Sequence, residues 1–235
     1  MEDLSIQPHH KALSLNWNET WVQLLVAVVL AMIAGYLDGY GLLFLKTYVS
    51  FMSGNTTSTG VKLGQYELLA AIPTAIAIVS FVSGSFLGNL LAQSGVRQAH
   101  RILFGLIAVA LAVVAFLDLA TVPNVNFEIL LLALAMGMTN PALSKIGAES
   151  VSLTFVTGTL SRIGGHLASA VGSKFSKDQK ADSFLLRAGI EASIWIGFLS
   201  GAILSGIAGA NFQSWALLPP CVIMLSLGLF SDRPE

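Results

Sequence analysis

Residues 34–60 read Ala-Gly-Tyr-Leu-Asp-Gly-Tyr-Gly-Leu-Leu-Phe-Leu-Lys-Thr-Tyr-Val-Ser-Phe-Met-Ser-Gly-Asn-Thr-Thr-Ser-Thr-Gly. They follow directly on Trp21–Leu37, an apolar run long enough to start across a bilayer. Glycines 35, 39 and 41 each cost about 1 kcal/mol against alanine in a helix interior, so the spacing predicts an interrupted helix here. Unwound backbone survives inside a membrane only where protein or a water-filled cavity satisfies its amides and carbonyls. Asp38, Asn55 and the hydroxyls of 53–59 supply polar groups for that purpose. The stretch therefore reads as a broken or re-entrant segment turned toward a polar interior.

The rest of the chain points to lipid as its medium. Of 235 residues, 54% are hydrophobic and only 11% charged, with a mean hydropathy of +0.75; soluble domains carry about 25% charged residues. Twelve Lys and Arg against 13 Asp and Glu leave a net charge of −1, without the basic excess that a phosphate backbone demands. The single cysteine, Cys221, forms no intramolecular disulfide and no multi-cysteine metal site. Phosphate-loop, zinc-hydrolase and dinucleotide motifs are missing, so neither an enzyme, a cofactor nor a metal is expected.

Apolar segments at Trp21–Leu37, Ile72–Ala92, Ile102–Ala120, Phe127–Met138, Ile190–Ala210 and Trp215–Phe230 are candidate spans. Pro219 and Pro220 should start or kink the last. Two softer stretches, 42–64 and 151–172, lie between them. The first 20 residues are polar and lack the pattern of a secretory signal, which predicts an uncleaved first span with Trp17 and Trp21 near the headgroups.

Loop charge sets the orientation. Arg97 and Arg101 fall in one loop, and Lys174, Lys177, Lys180 and Arg187 in another; 121–126 and 211–214 have neither Lys nor Arg. With basic loops cytoplasmic, six crossings place both inside, together with Lys11 near the N-terminus and Arg233 near the C-terminus. Eight crossings would leave one basic loop outside. The stretches 42–64 and 151–172 therefore read as re-entrant or broken segments, in a cell inner-membrane protein with both termini cytoplasmic.

The chain also repeats itself. Ala34-Gly35-Tyr36-Leu37-Asp38 aligns with Met136-Gly137-Met138-Thr139-Asn140, and Phe51-Met52-Ser53-Gly54-Asn55 with Phe155-Val156-Thr157-Gly158-Thr159. Phe81-Val82-Ser83-Gly84 then meets Phe198-Leu199-Ser200-Gly201. Small residues recur every four positions at Ser80, Gly84, Gly88 and Ala92, and again at Gly197, Gly201, Ser205 and Gly209. Such spacing lines one helix face with small groups and lets backbones approach in lipid. The expected fold is all-α and polytopic, with a polar tail at 1–20 and membrane repeats at 21–120 and 127–231. Three spans per repeat is an odd number, so the second copy must be inverted. Secondary transporters often use that plan, with the site where broken helices meet.

The residues expected to line a central pocket are Asp38, Asn55, Thr56, Asn140, Thr159 and Arg162. Asp38 would carry a proton or cation, and Asn55 would orient a small polar solute. Gly35, Gly39, Gly54, Gly137 and Gly158 are the expected hinges, and Gly84, Gly88, Gly197 and Gly201 the packing positions. The bland reading of Asp38 is a cap at the end of the first span. Glu191 is expected at the interface near Arg187, and Asp118 and Glu128 at span ends. The partners expected are the lipid bilayer and a small solute, and the small size allows a homodimer. The expected function is a small secondary transporter or permease for a small polar solute; the rival is a non-transporting membrane scaffold or partner-binding subunit in which the polar elements satisfy one another.

The paired motifs 34–38 with Met52-Ser53-Gly54-Asn55-Thr56, and Asn140-Pro141-Ala142 with Thr157-Gly158-Thr159-Leu160, resemble the YoaK-type family of multi-pass bacterial membrane proteins. Ser53 stands where that family often has threonine, which keeps the hydroxyl. The resemblance implies an integral inner-membrane protein and supplies no substrate.

Overall fold

In a computed structural model the described residues are 17–96, 98–120, 124–142, 145–146, 149–150, 156–175, 181–212 and 215–230. The tail with Lys11, and Arg97, Lys177, Lys180 and Arg233, lie outside them. The first half consists of α1 (Trp17–Tyr40), which continues as a π-helical turn (Gly41–Leu45), α2 (Met52–Gly64), α3 (Leu68–Gln93) and α4 (Ala99–Leu119). The second consists of α5 (Val125–Ala142), α6 (Val156–Phe175), α7 (Ala181–Phe212) and α8 (Leu218–Phe230). A two-residue antiparallel pair, Lys145–Ile146 against Glu149–Ser150, sits between α5 and α6.

Trp21–Leu45, Leu68–Gln93, Ala99–Leu119 and Ala181–Phe212 are long and apolar enough to cross a membrane, and Val125–Asn140 and Leu218–Leu229 are shorter apolar helices. A helix therefore lies within each expected apolar segment. Pro219 and Pro220 fall in the first turn of α8, where proline's missing N–H costs no hydrogen bond. Large apolar side chains face outward at helical spacing, at Val79, Val82 and Phe86 on α3 and at Ile196, Ile203 and Ile207 on α7. Inward faces carry the small ladders: Ser80, Gly84 and Gly88, then Gly197, Gly201 and Ser205, are buried.

Those ladders decide which helices touch. α1 packs on α7, and α3 on α5. Along the first pair Val28 lies opposite Gly197, Met32 and Tyr36 opposite Gly201, and Gly39 opposite Ser205, so α1 and α7 run parallel. α8 runs antiparallel to α4: Cys221 Sγ meets the Ala108 carbonyl at 3.4 Å, and Gly228 rests on Phe104. Tyr36 donates to the Ala216 carbonyl and Tyr40 to Asp118 Oδ2, each at 2.5 Å. The end of α1 thus adjoins the end of α4 and the approach to α8. Glu128, in the first turn of α5, lies within electrostatic reach of Tyr40, so α5 starts near that same end of the bundle.

One expectation fails. The helix does not unwind at 35–41; it is continuous through Tyr40 and turns only after the π-helical segment, at Lys46 with φ 53°. The glycines serve proximity instead. A side chain on Gly35 would collide with the Phe198 carbonyl, and one on Gly39 would stand 2.8 Å from Ser205 Cβ. Intrahelical hydrogen bonds survive because the neighbouring helix, rather than water, occupies the space that the missing side chains leave. Gly41 has the Thr47 carbonyl against it, and Thr47 N–H donates back to the Gly41 carbonyl at 3.2 Å, so the chain folds back on itself.

Candidate functional site

The returning segment 46–51 is held from both sides. Asp38, 5% exposed, accepts from the backbone N–H of Val49 at 2.9 Å and of Ser50 at 2.7 Å through Oδ1. Its Oδ2 accepts from the Ser50 hydroxyl at 2.7 Å. Amides just before a helix have no partner within it, and here a carboxylate supplies one. Three donors also let a charge remain in a water-poor setting, since hydrogen bonds to ionised groups are the strong ones. Asp38 stands within a helix that runs on to Leu45, so it caps a neighbouring segment from inside its own helix rather than at that helix's end. From the other side Asn55, 1% exposed, donates through Nδ2 to the Tyr48 carbonyl at 2.7 Å. Thr56 is exposed and donates to the Met52 carbonyl at 2.8 Å.

The second half uses different chemistry at matching places. Thr159 is buried at the position aligned with Asn55, and Asn140, aligned with Asp38, is half-buried and makes an interaction of its own. Arg162 grips Glu191 with two bonds, Nε to Oε1 at 2.6 Å and Nη2 to Oε2 at 3.2 Å, and reaches Thr159 Oγ1 at 3.4 Å. The register that lays Phe81 on Phe198 lays Thr74 on Glu191. Where the first half joins α2 to α3 by a hydroxyl pair, Thr59 to Thr74 at 2.7 Å, the second joins α6 to α7 by an ion pair.

Glu191, expected at the interface near Arg187, is the residue that Arg162 holds. It is 5% exposed and sits well inside α7, which starts at Ala181, before the apolar run begins. The repeat held the signal: its partner position, Thr74, is polar within an apolar span.

Gly54 and Gly158 lie in the first turns of α2 and α6, Gly35, Gly39 and Gly137 within continuous helix. Asp38 and Asn55 hold one loop, and Thr159 meets Arg162. None of the six expected pocket residues lines either of two roomy cavities, both apolar. One, about 470 Å³, lies between α1, α7 and α8 beside Tyr36, Leu204, Phe212 and Trp215. The other, about 440 Å³, lies between α1 and α7 beside Trp21, Val28 and Ser193.

Helices of spanning length and an apolar outer face define a polytopic helical membrane protein. Its residues 26–230 match the family described as "Protein of unknown function (DUF1275)", and the chain belongs to that family. It is similar to "UPF0700 transmembrane protein YoaK" of Bacillus subtilis (strain 168), at 28% identity over 85% of this chain and 89% of that one. It is also similar to "UPF0700 transmembrane protein RA0705" of Rhizobium meliloti (strain 1021), at 30% identity over 88% of this chain and 84% of that one. No solved structure matches.

Proposed function

We propose that the protein is a small secondary transporter of the inner membrane, built from two inverted three-span halves with α2 and α6 re-entrant. The observation that carries this reading is an exchange of partners between the halves. Gly35 meets the Phe198 carbonyl in the α1–α7 crossing, as Gly137 meets the Phe81 carbonyl in the α5–α3 crossing. Gly201 meets the Met32 carbonyl, as Gly84 meets that of Leu134. Equivalent helices thus make equivalent contacts, while α5 starts near the end of the bundle where α1 finishes. Each exchanged pair is a unit joined by close backbone contact, and rocking one against the other is the motion such repeats use. Basic loops on the cytoplasmic side put both termini there.

A small polar solute would be met by Asn55, Thr56, Asn140, Thr159 and Arg162. Asp38 is occupied by Val49 and Ser50, so it becomes available to a proton or cation only when segment 46–51 moves. Gating and coupling would then be one event.

A second reading, a non-transporting scaffold, is favoured by the paired polar atoms at Asp38 and Asn55 and by the apolar lining of the cavities. Accessibility separates the two. In a Cys221→Ser background, Thr56→Cys in oriented proteoliposomes is treated with a membrane-impermeant maleimide from one side or the other. Alternating access predicts labelling from both sides in separate reactions. Labelling from one side only contradicts transport and leaves the scaffold.

A further inference from the structure

Glu128 lies in the first turn of α5 and is 2% exposed, and its Oε1 has no hydrogen-bond partner. The Asn124 backbone engages the carboxylate, which leaves that oxygen unanswered. Asp118, in the last turn of α4, and Tyr40 of α1 lie within its electrostatic reach, and the Tyr40 hydroxyl donates to Asp118. The carbonyl end of α4 adds partial negative charge here.

Nothing described balances that charge. α3, the π-turn and α8 contribute no ionisable side chain between 68 and 93, 41 and 45, or 218 and 220, and beyond Cys221 none to 229. His100 and Arg101 stand at the opposite end of α4. On α1, Tyr36 is committed to Ala216 and Asp38 to Val49 and Ser50. Lys46 turns to the Leu43 carbonyl, and Arg162 pairs with Glu191. A buried carboxylate oxygen without donor or counter-charge is costly, and either a proton or a bound cation relieves that cost.

We propose that Tyr40, Asp118 and Glu128 bind one hard cation through oxygen ligands, between the last turn of α4 and the first turn of α5. Carboxylate, phenol and carbonyl oxygens from the ends of three helices are the donor set that such ions take. Binding here is separate from Asp38 and does not rest on the transport reading.

The test is thermal unfolding of purified protein at fixed pH and ionic strength in choline, sodium or calcium chloride. A saturable rise in the midpoint in sodium or calcium, relative to choline, is expected, and which salt acts names the ion. Glu128→Gln and Asp118→Asn should each weaken the apparent affinity at least tenfold. Tyr40→Phe, which keeps the ring beside Phe44, serves if an acidic variant does not fold. No rise in either salt overturns the site, as does a rise undiminished in the variants. A midpoint that responds to acid alone also overturns it, because a proton then fills the place.

Discussion

Gly201→Ala should destabilise the protein by about 3 kcal/mol, the upper end of ordinary overpacking. The added methyl would collide with the Met32 carbonyl and its carbonyl carbon, and would crowd the Tyr36 amide. Those atoms belong to a helix backbone, so no rotamer change relieves the clash. α1 and α7 must separate along the whole crossing. Gly206→Ala on the same helix is the control, since nothing lies within 4 Å of its added carbon; helix propensity makes that change neutral or stabilising by up to about 1 kcal/mol. Gly84→Ala should match Gly201→Ala, because the Leu134 carbonyl stands where that of Met32 does. Denaturant or thermal titration in detergent measures all three. Equal tolerance of Gly201→Ala and Gly206→Ala would mean that the crossing is looser than described.

Asp38→Ala is the second large effect, also about 3 kcal/mol. It strips the acceptor from two buried amides and one hydroxyl, and each buried donor left alone costs roughly 1–3 kcal/mol, not additively. Asp38→Asn keeps an oxygen for Val49 and Ser50 and should lose only about 1 kcal/mol, the charge-assisted part. Asparagine already serves at the aligned position 140. Limited proteolysis should show cleavage within 46–51 rising sharply in the alanine variant and little in the asparagine one. Equal, mild behaviour of both would show that the carboxylate does not hold the loop.

The two ladders made much of the packing legible. Four-residue spacing of small side chains names the face of α3 and of α7 that is buried, and the buried Ser80–Gly88 and Gly197–Ser205 stripes follow it. Spacing does not say which helix lies on that face, because lipid tails and a neighbouring helix are equally apolar. The exchange of partners was therefore invisible until contacts were placed. The glycines of 35–41 misled for a related reason: propensity prices them as helix breakers, whereas a close backbone neighbour turns the same residues into contact points. Asp38 was recognisable as an interior acid, but its loop partners come from backbone N–H groups, which carry no residue-type signal. Glu128 hid because an acid near a helix start ordinarily faces water and needs no explanation.

Inversion of the two halves is open to a direct check by cysteine labelling of intact and permeabilised cells in the Cys221→Ser background. Tyr66→Cys after α2, Asn124→Cys before α5 and Asn211→Cys near the end of α7 sample three turns, and Val96→Cys samples the turn before α4. With re-entrant α2 and α6, an impermeant reagent labels the first three in intact cells and Val96→Cys only after permeabilisation. Labelling of Asn211→Cys and Asn124→Cys from opposite sides would make both short helices true crossings and the two halves parallel, contradicting the inverted arrangement.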